Sequence, residues 1–148
     1  MAIIFLGFDG VIRVPPEGDE WADLDVFEFG KVQMENAVRV AQSAGAKIVV
    51  SSEWRYRAGR AEVDGLLGPE LTELFHEDWR LPLLRDDRWR EVQAWLEAHP
   101  EETRYAILDD VEYLFNEAPA DMQRRLVLCA TATGFAGLVV REAELLFK

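Results

Sequence analysis

Residues 3–12 read Ile3-Ile4-Phe5-Leu6-Gly7-Phe8-Asp9-Gly10-Val11-Ile12, and this stretch decides the fold. Its first four residues are apolar, branched or aromatic, a pattern typical of a fully buried strand. The residues from Gly7 to Gly10 then break the strand into a loop. Open α/β sheets bind their ligands beyond the carboxyl ends of their strands, so Asp9 is a candidate site residue.

Strand and helix patterns alternate along the rest of the chain. Residues 13–30 form no regular pattern, and we expect them to make an irregular flap over the end of the first strand. The apolar spacing predicts helices over 31–44, 61–67, 88–99 and 138–147, and strands over 47–50, 71–75, 105–108 and 126–129. The alternation predicts βαβ units in a three-layer α/β/α sandwich with a parallel, Rossmann-like sheet. We expect one domain over residues 1–148, with strand 3–6 between strands 47–50 and 105–108.

Composition narrows the classes of function. The formal net charge is −12, which argues against a nucleic-acid backbone as the main partner and suits a divalent cation or a basic protein. Cys129 is the only cysteine, so the chain has no intrachain disulfide and no thiolate metal cluster. We find no signal peptide pattern and no apolar run long enough to span a bilayer, so we expect a cytoplasmic protein without a membrane partner.

Polar residues follow three of the predicted strands. Asp9 follows the first, Ser51 and Ser52 follow strand 47–50, and Asp109-Asp110 follows strand 105–108. In a parallel sheet these three ends emerge at one edge, so we expect Asp9, Ser51 and Asp109 to meet in one pocket. This expectation depends only on the strands being parallel and not on any resemblance.

The same segments resemble the motifs of the haloacid dehalogenase-like (HAD) hydrolases. The first HAD motif is an apolar strand followed by Asp-x-Asp-Gly-Val, and here the second aspartate, glycine and valine are present from Asp9 onward. The stretch Val50-Ser51-Ser52-Glu53-Trp54-Arg55 looks like the second motif, in the form found in the HAD domains of the Swiss-army-knife RNA-repair proteins. Ala106-Ile107-Leu108-Asp109-Asp110 resembles the fourth motif, and Arg88 matches the basic residue of the third.

The resemblance implies magnesium-dependent hydrolysis of a phosphomonoester. A chain of 148 residues has little room for a large cap domain. The resemblance also implies that Asp9 is the general acid and base and that Arg88 offsets negative charge. The residues that it implies for phosphate binding are Ser51, Ser52, Gly10 and Arg55, and those for Mg²⁺ are Asp9, Asp109 and Asp110. The resemblance to RNA-repair proteins also implies a nucleic-acid substrate, whereas the negative net charge argues against one.

Gly7 stands at the position of the family's nucleophilic aspartate. Glycine offers neither a nucleophile nor a ligand oxygen, so we expect phosphatase activity to be lost or nearly lost and Mg²⁺ binding to be weakened. Three explanations stay open: a natural pseudoenzyme, an engineered trap, or different chemistry on the remaining acids.

Several candidates have a plain structural alternative. Asp109, Asp110, Ser51 and Ser52 could cap helices, because their oxygens accept bonds from free N–H groups. Arg88 could be a solvated surface residue. A rival function is that of a non-catalytic binding module, an inhibitor or immunity-type protein whose acidic, aromatic flap from Glu17 to Phe29 grips a basic protein.

Overall fold

The computed structural model describes residues 1–17, 19 and 21–148. Its strands are β1 (Ala2–Leu6), β2 (Arg13–Val14), β3 (Glu28–Phe29), β4 (Ala46–Val50), β5 (Phe75–Arg80), β6 (Arg104–Asp109) and β7 (Leu126–Leu128). Its helices are α1 (Lys31–Ala44), α2 (Arg60–Leu67), α3 (Pro69–Thr72), α4 (Arg88–Ala98), α5 (Ala120–Gln123) and α6 (Leu138–Leu146). Single turns of 3-10 helix cover Leu24–Val26, Glu53–Tyr56 and Glu112–Phe115.

Five strands form one parallel sheet in the order β5-β4-β1-β6-β7. β1 is the central strand, and Leu6 is in register with Val50 of β4 and Leu108 of β6. The predicted parallel sheet and the central position of strand 3–6 are therefore confirmed. No cap stands apart from this core in the part of the chain that the structure describes.

Alternating residues of β1 feed two apolar clusters on opposite faces of the sheet. Ile4 and Leu6 pack in the cluster that includes residues of α1, α2, α3 and α6. Ile3 and Phe5 pack in the second cluster, which includes Trp95 of α4 and Met122 of α5. Helices on both faces give the three layers that the sequence predicts.

The short strand predicted at 71–75 is wrong. Pro69 occupies the first turn of α3, which runs to Thr72, and β5 begins only at Phe75. Proline at a helix start is favourable because its missing N–H would have no partner there. β5 is an edge strand with polar residues and a register shift against β4, so it carries no apolar run by which to recognise it.

The flap over residues 13–30 is mostly irregular, as predicted, but its two ends pair with each other. β2 and β3 form an antiparallel ladder in which Arg13 is opposite Phe29. Gly18 and Glu20 lie outside the described residues, so the predicted flap surface from Glu17 to Phe29 is described only in part. No helix among the described residues is long and apolar enough to cross a membrane.

Candidate functional site

The carboxyl ends of β1, β4 and β6 lie side by side and are joined by backbone hydrogen bonds. The N–H of Gly7 donates to the carbonyl oxygen of Leu108 at 2.9 Å, and the N–H of Ser51 donates to that of Leu6 at 3.0 Å. The side chain of Asp110 lies directly over Gly10, because a β-carbon built on Gly10 would fall 2.0 Å from Asp110 Oδ2. Residues from all three motif segments thus share this edge, which we call the strand-end site.

Gly7 is closely surrounded. A β-carbon at this position would lie 3.0 Å from the carbonyl oxygen of Leu108 and 3.3 Å from a methyl carbon of Val11. Both distances are tighter than ordinary van der Waals contact, so any side chain here requires its neighbours to move slightly.

Asp9 has two side-chain partners. Its Oδ1 accepts a hydrogen bond from Arg13 Nη1 at 2.6 Å, and its Oδ2 accepts one from Trp54 Nε1 at 3.2 Å. The ring of Trp54 makes an edge contact with Phe29 and a tilted contact with Phe8. Neither Arg13 nor the Trp54 indole was predicted to belong to the site, although Arg13 stands only four residues after Asp9.

Asp109 is also paired with an arginine. Its Oδ2 accepts from Arg88 Nη1 at 2.6 Å, and its Oδ1 accepts from the N–H of Val111 at 3.0 Å. Arg88 donates in addition to Glu53 Oε1 at 2.8 Å. Burial disfavours the charged form of Arg88, but the carboxylates of Asp109 and Glu53 outweigh that effect and raise its pKa. Arg88 is buried, so the solvated-surface alternative is wrong.

Asp110 lacks an arginine partner among the described residues, and its Oδ2 accepts from the Thr131 hydroxyl at 2.8 Å. Burial raises the pKa of Asp110; the hydrogen bond from Thr131 lowers it and the charge of Asp109 raises it again, leaving it above its ordinary value. Of the three acids at the strand ends, Asp110 is the one whose charge is least compensated.

The two serines differ. Ser52 caps the following 3-10 turn, because its Oγ accepts from the N–H of Trp54 at 3.2 Å. Ser51 Oγ is buried and has no hydrogen-bond partner among the described residues. A buried hydroxyl without a partner costs free energy, so a ligand that reached Ser51 would satisfy its donor and acceptor.

Arg55 is buried and its donors are already occupied. Nη1 donates to the carbonyl oxygens of Ser51 at 2.8 Å and Ser52 at 3.0 Å, and Nη2 forms an ion pair with Glu91. Glu91 also accepts from the hydroxyl of Tyr56 at 2.5 Å. Arg55 therefore fixes the end of β4 against α4, and its guanidinium has little capacity left for a ligand.

Comparison with protein families identifies the architecture. The model of the HAD domain in Swiss Army Knife RNA repair proteins matches residues 3–137. The chain belongs to this HAD family. No match was found among curated proteins or among solved structures.

HAD proteins typically use Mg²⁺, and the donors at the strand ends do not fit that ion as they stand. Within residues 1–17, 19 and 21–148, no three His, Cys, Asp or Glu side chains group as a metal site would require. Both carboxylate oxygens of Asp9 and both of Asp109 already accept hydrogen bonds. Gly7 supplies no carboxylate to complete a set of hard oxygen ligands.

Proposed function

We propose that this HAD domain binds a terminal phosphate at the strand-end site and does not hydrolyse it. The observation that carries the proposal is the Ser51 hydroxyl, which is buried at the end of β4 without a hydrogen-bond partner among the described residues. A phosphate oxygen would satisfy this hydroxyl. Ser51 also occupies the position at which the second HAD motif places its phosphate-binding hydroxyl.

Gly7 is the reason that we expect no turnover. Covalent catalysis needs a carboxylate at this position, and glycine has none. Removing the nucleophile of a catalytic unit lowers the rate by several orders of magnitude, even when its other members stay in place. The same loss removes one oxygen ligand, so we propose that the domain binds Mg²⁺ weakly.

Exposed arginines beside the site favour a phosphate carried on a polyanion such as an RNA end. Arg57 and Arg85 are solvent-exposed, and neither pairs with a carboxylate in the described part of the chain. Arg57 lies over the ring of Trp54 at 4.5 Å, and Arg85 lies over the ring of Tyr56 at 4.7 Å. Guanidinium groups on aromatic faces can contact both backbone phosphates and bases.

The net charge of −12 sets the conditions for this function. Repulsion between the acidic surface and a nucleic-acid backbone weakens binding along the strand. Recognition must therefore be concentrated on the terminal phosphate, and its salt dependence should be shallow because few counterions are released.

Fluorescence anisotropy of a labelled single-stranded RNA tests the proposal. We expect an oligonucleotide with a terminal phosphate to bind more tightly than the same oligonucleotide with a terminal hydroxyl. Ser51→Ala should remove most of that difference, because it deletes the unpartnered hydroxyl. Ser43→Ala is the matched control, since Ser43 is exposed on α1. Equal affinity for the phosphorylated and unphosphorylated RNA would contradict the proposal.

A second function is favoured by the exposed flap. Trp21 is 88% exposed, and Leu24 and Val26 are also exposed, within a segment that carries Asp23 and Asp25. Apolar side chains surrounded by acids suit a basic protein segment. Binding of an arginine-rich peptide that is lost in Trp21→Ser and kept in Ser51→Ala would favour this function.

A further inference from the structure

One side of the Arg88 guanidinium is incompletely paired. The group is planar, so the N–H of Nε and one N–H of Nη2 point in the same direction and form a fork that matches two oxygens of one anion. Nη2 donates to Glu53 Oε1 at 2.8 Å. Nε is buried and has no hydrogen-bond partner among the residues that the structure describes. Glu53 therefore satisfies one donor of the fork and leaves the other unsatisfied, which costs free energy.

The other side of the guanidinium is paired with Asp109, and this contact fixes its position. Nη1 donates to Asp109 Oδ2 at 2.6 Å, and the side chains of Arg88 and Asp109 are 7% and 1% exposed. An arginine stays charged at any physiological pH. The buried pair with Asp109 therefore holds a cationic fork at the strand-end site independently of Glu53.

The Glu53 side chain borders solvent and is easily displaced. It is 67% exposed, whereas its partner Arg88 is buried. The 3-10 turn Glu53–Tyr56 is capped by the Ser52 hydroxyl, so the turn does not depend on the Glu53 carboxylate. An exposed carboxylate regains water when it leaves its partner, and a pair with such a member contributes little to stability.

The strand-end site is acidic while Glu53 is in place. Arg88 is the one cation shared by the carboxylates of Asp109 and Glu53. Asp110 adds a carboxylate that has no arginine partner in the described part of the chain. Movement of Glu53 into solvent removes one negative charge from this edge and uncovers the fork. Since Glu53 comes two residues after Ser51, the fork lies beside the end of β4, where the unpartnered hydroxyl is buried.

We propose that Glu53 is an internal competitor of the phosphate, and that a phosphate displaces it from Arg88 and accepts from both Nε and Nη2. This deepens the proposed function, on which it rests for the class of ligand. The competition favours a terminal phosphate over the backbone of the same strand. A phosphomonoester carries about −1.5 to −2 charges at pH 7, and a backbone phosphodiester carries only one.

Titration with inorganic phosphate at constant ionic strength tests the exchange. The readout is the Nε–H resonance of Arg88 in proton–nitrogen correlation spectra, which is identified by its absence in Arg88→Lys. Phosphate should shift this resonance in the parent protein. Glu53→Ala should lower the dissociation constant about two- to fivefold, the range that corresponds to loss of an exposed ion pair. Glu53→Gln should lower it less, because the amide oxygen still accepts from Nη2.

Glu112→Ala is the matched control. Glu112 is exposed in the 3-10 turn that follows β6, as Glu53 is in the turn that follows β4, and the ion pairs of Arg88 in the described chain do not include it. Its removal deletes a negative charge without uncovering the fork, so the dissociation constant should fall by less than in Glu53→Ala. Equal decreases in the two variants would overturn the proposal, because the change in net charge alone would then explain them.

An Arg88 resonance that phosphate leaves unmoved in Glu53→Ala would also overturn the proposal. If Glu53→Ala fails to fold by circular dichroism, the comparison of Glu53→Gln with Glu112→Gln decides by the same two criteria. The RNA anisotropy experiment is independent of this result. Tighter binding of phosphorylated RNA together with an unmoved Arg88 resonance would support the proposed function and exclude the exchange.

Discussion

Two aspartate–arginine pairs stand at the ends of the adjacent strands β1 and β6, and they differ in burial and in origin. The Asp109–Arg88 pair joins residues from distant parts of the chain, and its side chains are 1% and 7% exposed. The Asp9–Arg13 pair lies within one turn, and its side chains are 27% and 11% exposed. The first pair is therefore part of the core, whereas the second borders solvent.

Removing Arg88 should lower the stability of the protein more than any other change proposed here. Arg88→Met leaves the buried carboxylate of Asp109 without its cation, and loss of one partner of a buried pair costs about 3–5 kcal/mol. Urea unfolding should show a loss of this size. Arg90→Ala on the same helix is the control, because its pair with Asp86 is exposed and should change stability by less than about 1 kcal/mol. Equal losses in the two variants would show that the buried Asp109–Arg88 pair contributes no more to stability than an exposed pair.

Removing Arg13 should lower the free energy of unfolding by less than removing Arg88. Arg13→Gln breaks a partly exposed ion pair and two ring contacts, which together contribute about 1–2 kcal/mol. The same urea experiment measures the loss. A cost as large as that of Arg88→Met would show that the Asp9 side of the edge is as rigid as the Asp109 side.

Gly7 connects the two strand ends, since its N–H donates to the carbonyl oxygen just before Asp109. Gly7→Ala places a methyl group at 3.0 Å from that oxygen, and we expect a loss of about 1 kcal/mol from overpacking. Gly65→Ala in α2 meets no atom within 4 Å and should gain about 0.5–1 kcal/mol, since alanine favours a helix. A gain in both variants would show that position 7 has room for a side chain.

The reactivity of Cys129 should show the smallest effect, and it reports on the surroundings of the buried Asp109–Arg88 pair. The N–H of Cys129 donates to the carbonyl oxygen of Asp109 at 2.8 Å, and burial, followed by the charges of Asp109 and Asp110, raises the pKa of its thiol to about 12. The thiol is therefore protonated at pH 8, and a disulfide reagent should react only as fast as the protein unfolds. Rapid reaction of the native parent would show that the β6 end opens readily.

The sheet was predictable because its three inner strands are continuous apolar runs. The strand at 71–75 was not, since β5 is a polar edge strand and Pro69 starts a helix in its place. The positions of the strand-end acids followed from the same runs. The partners of those acids did not, because the link between Asp9 and Trp54 spans 45 residues and depends on how the flap packs.

The contact between Arg13 and Asp9 was not predictable from the sequence pattern. The spacing of four residues between the two is visible in the sequence, but that spacing predicts a contact only in a helix. Here the contact arises from a glycine turn instead. Arg55 is the converse case, because its motif position favours a phosphate contact while its buried donors bind backbone and Glu91.

Phosphorus NMR of a terminally phosphorylated RNA, incubated with the parent protein and Mg²⁺, tests the central claim most directly, because one spectrum reports binding and hydrolysis together. We predict that the terminal phosphate resonance shifts or broadens with protein, that Ser51→Ala reverses this change, and that no inorganic phosphate appears. Release of inorganic phosphate that disappears in Asp9→Asn would contradict the account, as would a terminal resonance that the protein leaves unchanged.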